Sequence, residues 1–131
     1  MSTDAIRIDD SAWPVVIVEP MRVPSADDVA HFVNKLDQIA AQRRTSFAVL
    51  LDARGRVKVP GPLQKRIASG FKQGAIAQYA RAEAVLLHSA LLAALGRLAL
   101  KVIRPKFRMG AFGDYNEAFA WARAQAEAPA P

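Results

Sequence analysis

Three cations alternate with small or apolar residues in Arg54-Gly55-Arg56-Val57-Lys58-Val59, two positions beyond Asp52. On an extended backbone successive side chains point to opposite sides, so this spacing projects Arg54, Arg56 and Lys58 together. Such a triplet suits a phosphate, a nucleotide or an acidic protein surface. Gly61-Pro62 follows, with proline where a helix start tolerates its missing N–H, and the free amides of a helix start attract anions. Lys65 and Arg66 extend the patch along that helix, and Asp52 marks the strand end from which it begins. A merely solvated basic loop is the competing reading, since cationic runs are commonly just surface. The loop has no aromatic interleaving and the chain no recognised nucleic-acid motif, which argues against nucleic acid as a partner.

Asp52, His88 and Ser89 invite an acid, base and nucleophile reading, because the first two end neighbouring strands. Catalysis needs the base within about 3 Å of the group it deprotonates, and consecutive residues such as His88 and Ser89 seldom face each other that way. Ser89 is better explained as a helix cap, and His31 as a helix residue without a role. Without cysteine and with only two histidines, the chain has no disulfide framework, no thiolate nucleophile and little for a metal. No cofactor is called for, and an enzyme ranks last among the readings. A second cationic stripe, Arg97, Lys101 and Arg104, lies near the end of an apolar helix with Lys106 and Arg108 following. Compensation of the helix dipole explains it, and peripheral contact with anionic lipid is the alternative.

These groups sit in 131 residues, 52% of them hydrophobic, enough for one domain with a core of its own. The net charge of +6 is concentrated: residues 41–81 carry nine basic side chains and one acidic. Solubility is the bland explanation of that imbalance, and an anionic partner the sharper one. The start, Met1-Ser2-Thr3-Asp4, lacks the cations and apolar run of a secretory signal, so a cytoplasmic protein is expected. The most apolar window, 85–103, contains His88, Arg97 and Lys101, which rules against a membrane span.

Ile6 and Ile8 alternate with Arg7 and Asp9 as a half-buried strand, and a turn at Asp10-Ser11 leads to a second, Pro14 to Glu19, in an antiparallel hairpin. Ser25 caps a helix with Asp27 and Asp28 in its first turn and an apolar face of Val29, Phe32, Val33, Leu36, Ile39 and Ala40. Phe47 to Leu51 is an unbroken apolar run, as expected of a strand buried on both faces. After the basic loop a second helix carries Leu63, Ile67, Phe71, Ala75 and Tyr79 in one row. Gly70 and Gly74 fall in the same helix, a sign of close backbone approach or of a weak, kinked helix. Ala82 to Leu87 is a further buried strand. Ser89 starts a third helix, Ala90 to Ile103, so apolar that it must be buried on most sides or cover another molecule. Phe107 to Phe112 is the last strand, and Asp114 with Glu117 opens the last helix. The order ββαβαβαβα predicts an α/β fold: a mixed, mostly parallel five-stranded sheet flanked by four helices. Residues 1–126 form the expected single domain and 127–131 a tail.

Two stretches of this pattern resemble the STAS superfamily in its SpoIIAA-like branch, which includes the anti-sigma-factor antagonists. One is Leu50-Leu51-Asp52-Ala53-Arg54-Gly55; the other is Phe107 to Phe112 with Asp114, Glu117-Ala118 and Ala120-Trp121. Antagonists of that family carry Asp-Ser-Ser-Gly or a close variant, the second serine being phosphorylated. Here Asp52-Ala53-Arg54-Gly55 stands in that place, without the acceptor hydroxyl. The resemblance therefore implies a non-catalytic, regulatory interaction module without a kinase-controlled switch, and some relatives bind nucleotides or lipids.

Two functions follow as expectations. In the first, the domain docks a protein partner, a second copy of the chain included, through the rim around Asp52 to Lys58 and the faces of the second and third helices. In the second, it carries a small amphipathic or phosphate-bearing ligand in a cleft between the third helix and the sheet, with the arginines at its mouth. Docking predicts an exposed apolar patch beside the basic rim, and carriage an internal cavity of a few hundred Å³. Arg54→Glu is expected to weaken partner or anion binding while shifting stability by under about 0.5 kcal/mol, as an exposed charge swap does.

Overall fold

The structure, a computed structural model, describes residues 4–103 and 107–128. Arg104, Lys106 and residues 129–131 of the expected tail lie outside the described residues. The elements run β1 (Ile6–Asp9), β2 (Val15–Pro20), α1 (Ala26–Arg43), β3 (Phe47–Asp52), α2 (Gly61–Gly70), α3 (Gly74–Tyr79), β4 (Ala80–Leu86), α4 (Ala90–Ile103), β5 (Arg108–Phe112) and α5 (Tyr115–Glu127). The strands lie side by side in sequence order, β1 antiparallel to β2 and each later pair parallel. This is the mixed, mostly parallel five-stranded α/β sheet that the element order predicts.

Local chemistry sets the helix ends. The Ser25 hydroxyl accepts from the Asp28 amide and the Asp28 carboxylate accepts from the Ser25 amide, a reciprocal box at the start of α1. Arg44, with φ of 57°, closes the other end in the left-handed region. Asp114 accepts from the Glu117 amide at the start of α5.

Among the described residues five helices flank the sheet where four were expected, because the second expected helix breaks after Gly70. Gly74 has φ of +62°, a conformation side chains disfavour, and the Asp37 carboxylate on α1 accepts from the Ile76 amide at 3.1 Å, so a new helix starts there. The close approach expected from the glycines is found at Gly70, where a Cβ would come within 2.7 Å of Val33 Cγ1. Contact with α1 therefore holds α2 in place.

The two sides of the sheet are packed differently. On one, Val15, Ala48, Leu50, Ala82, Ala84 and Leu86 meet Ala118, Ala122 and Ala126 of α5. On the other, Val16, Val18 and Val49 meet Val29, Phe32, Leu36 and Ala40 of α1 and Ile76 of α3. The α4 helix reaches this second side at its β5 edge, where Gly96 lets the backbone approach the Ala111 methyl. Its own packing runs through Ala93 and Gly96, while Leu91, Leu95, Leu98 and Val102 stand 54–79% exposed. Of the two alternatives for this helix, burial on most sides or cover of another molecule, the first does not hold within the chain: at the sheet edge it meets the domain along one narrow face, and one side of its apolar surface is left exposed.

Candidate functional site

Beside α1 the sheet is covered by α2, and α2 has no fully buried residue. Held on α1 through Gly70 and Val33, it stands off the strands. A cavity of about 820 Å³ opens between them. Its floor is the strand face carrying Val18, Val49, Leu51, Glu83 and Met109; its wall is Ile67, Ala68 and Phe71 of the α2 side; Val57, Lys58 and Val59 close the loop side. Phe71 meets Phe107 edge-on with ring centroids 6.4 Å apart, which joins the α2 wall to the β5 edge. Gln64 donates to the Val59 carbonyl at 2.7 Å and ties the loop to α2.

Glu83 is the chemical exception in this apolar space. It lies in register with Val49 on one neighbouring strand and Met109 on the other, so its side chain rises from the middle of the floor. No hydrogen bond or ion pair reaches its carboxyl among the described residues. Burial pushes that carboxyl up from its ordinary 4.5 to about 7. The residue as a whole is only partly closed off from solvent. The shift follows the apolar walls around the carboxyl, which replace the water that would stabilise its charge. Lys58 and Lys72 are exposed residues that also line the cavity, so their cations lie toward its mouth.

The residues singled out in the sequence fall in several places. Asp52 is buried at the end of β3 and accepts two side-chain hydrogen bonds from Arg54, at 3.0 and 2.9 Å, together with the Arg54 amide at 3.1 Å. Those bonds hold its carboxyl below the usual carboxylate range against the raising effect of burial. The Arg54 guanidinium also lies 5.8 Å from the centre of the Tyr115 ring, toward the α5 side. Lys58 is exposed in the loop that closes the cavity. Between them Arg56 has φ of 59°. The even alternation expected of Arg54, Arg56 and Lys58 is interrupted: the Asp52 ion pair engages the first cation, and the left-handed Arg56 breaks the extended backbone. Lys65 and Arg66 are exposed on α2. Arg97 donates to the Ala111 carbonyl at 3.0 Å and satisfies the β5 backbone, Lys101 is exposed, and Arg104 lies outside the described residues.

His88 is exposed, and the Ser89 hydroxyl accepts from the Leu92 amide at 3.1 Å as a helix cap. His31 is exposed near Asp4. A cleft was expected beneath the apolar 90–103 helix; the cavity described above lies beneath α2, and no described residue of α4 is among its lining. The sequence reading missed Glu83. Its signal was present, a lone carboxylate inside the otherwise apolar strand Ala82-Glu83-Ala84-Val85-Leu86, paired on both edges.

Sheet order, the antiparallel first strand and the C-terminal helix alone on one side define a SpoIIAA-like domain, the fold that the STAS resemblance implies. A crystal structure of an uncharacterized DUF3478-family protein with a SpoIIAA-like fold, from Shewanella loihica PV-4, matches with a TM-score of 0.62 and 18% identity, over 93% of this chain and 98% of that one. No family model and no curated protein matches the sequence. No helix among the described residues is long and apolar enough to cross a membrane.

Proposed function

We propose that this domain is a non-catalytic binding module for a small amphipathic ligand, taken up between α2 and the sheet. The observation that carries the reading is the cavity of about 820 Å³, within the roughly 300–1,000 Å³ of small-molecule sites. Its walls are apolar, which suits the ligand's body, and Lys58, Lys72 and Gln64 offer polar contacts at the mouth. A non-catalytic role is supported by the local engagement of two groups weighed for catalysis from the sequence: Asp52 is occupied by Arg54 and Ser89 by its helix. Native mass spectrometry of freshly purified protein is expected to show a co-purifying mass that Ala68→Trp, a plug at the exposed wall, removes. A wild-type protein that neither carries nor takes up any apolar probe would overturn the proposal.

The second reading is docking of a protein partner, and the solvent-facing stripe of Leu91, Leu95, Leu98 and Val102 favours it. With Lys101 beside the stripe, the matching surface is an apolar ridge bordered by carboxylates. Leu95→Glu is expected to abolish such an association and leave cavity binding intact. Binding of a defined partner that persists in the variant would remove this reading.

A further inference from the structure

Resting on the ligand-binding reading, we infer that the cavity selects a lipophilic amine, with an apolar body against Val49, Ile67, Phe71 and Met109 and its ammonium against the Glu83 carboxylate. Buried carboxylates are normally paired or hydrogen-bonded. Glu83 has neither among the described residues, although it stands at the centre of the floor with open cavity before it. The charged side chains that share the lining are Lys58 and Lys72, and neither forms an ion pair with it. An ammonium donates the hydrogen bonds and brings to the carboxyl the opposite charge that neither lysine supplies to it, in surroundings where charge pairs are strengthened. A carboxylate ligand placed there would face a like charge, and an alcohol would answer the hydrogen bond but not the charge.

Proton linkage follows from the same geometry. Burial raises the free carboxyl to about 7; an ammonium beside it lowers that value, so binding near neutral pH releases a proton from Glu83.

Isothermal titration calorimetry with decylamine, decanol and decanoate tests the inference on the intact chain. Decylamine is expected to bind at least about tenfold more tightly than decanol or decanoate at pH 7.5, with proton release seen as a dependence of the heat on buffer ionisation enthalpy. Glu83→Gln is expected to weaken decylamine about tenfold and leave decanol within about twofold, and Ala68→Trp is expected to weaken all three. If decanol and decanoate bind as well as decylamine, or Glu83→Gln leaves decylamine unchanged, the amine inference falls while the ligand-binding reading stands. If none of the three binds, both fall.

Discussion

The two sides of the sheet teach different lessons from the same strands. Toward α5 alanines meet alanines, Ala82 and Ala84 against Ala118 and Ala122, and small side chains let helix and sheet approach closely. Toward α2 the side chains are larger, yet the helix is positioned by α1 and not by the strands. The Gly70 contact with Val33 fixes the spacing, and the volume under Ile67 and Phe71 stays open. One side is filled by small side chains, and the other keeps an open cavity.

The largest expected effect comes from adding bulk to each side. Ala84→Leu forces atoms into the closed α5 side and should destabilise by about 3 kcal/mol, whereas Met109→Phe enlarges a cavity residue and should cost under about 1 kcal/mol. Urea unfolding of both variants measures the difference, and equal costs would mean that the two sides are packed alike.

Next in size is Glu83. Its folded value of about 7 lies above its ordinary 4.5, so the folded state binds the proton more tightly than the unfolded chain does. Stability is therefore greatest below the ordinary value, falls as pH rises toward 7, and levels off above it. A full shift of this size corresponds to about 3 kcal/mol, and solvent reaching the cavity reduces it to about 1–2 kcal/mol. Glu83→Gln should lose this slope and be the more stable protein at pH 8. Asp9, Asp28 and Asp52, all held below their ordinary range, act in the opposite direction. Their contributions are present above the ordinary aspartate value and lost as pH falls through the folded values, so the two windows are separable.

Arg54→Glu follows. The near-neutral outcome expected for an exposed charge swap is corrected by the Asp52 pair: the variant sets a second carboxylate beside a buried one and should cost about 1–2 kcal/mol in thermal or urea unfolding. The smallest effect is that of Ala68→Trp, within about 0.5 kcal/mol of wild type because the site is exposed, even as it blocks the cavity.

Much of the fold was legible because it is written in periodicity. The unbroken run at Phe47–Asp52 marked a central strand, alternation marked β1, and Ser25, Ser89 and Asp114 marked helix starts. The cavity was less legible because it depends on a distance. The row Leu63, Ile67, Phe71 shows which way α2 faces and says nothing of how far it stands from the sheet. Gly74 was read as part of one long helix because spacing alone cannot reveal a positive φ. The turning back of Arg54 could have been foreseen: an aspartate followed two residues later by a free amide commonly forms a local turn, and here the guanidinium follows the amide onto the same carboxylate.

Amide chemical-shift mapping during titration with decylamine addresses the ligand-binding claim most directly, since it reports both sides of the sheet and α4 in one experiment. The account predicts perturbations at Val49, Ile67, Glu83 and Met109, with Ala84, Ala118 and Ala122 unmoved. Changes confined to Leu91, Leu95 and Leu98, or none beneath α2 at saturating probe, would contradict it.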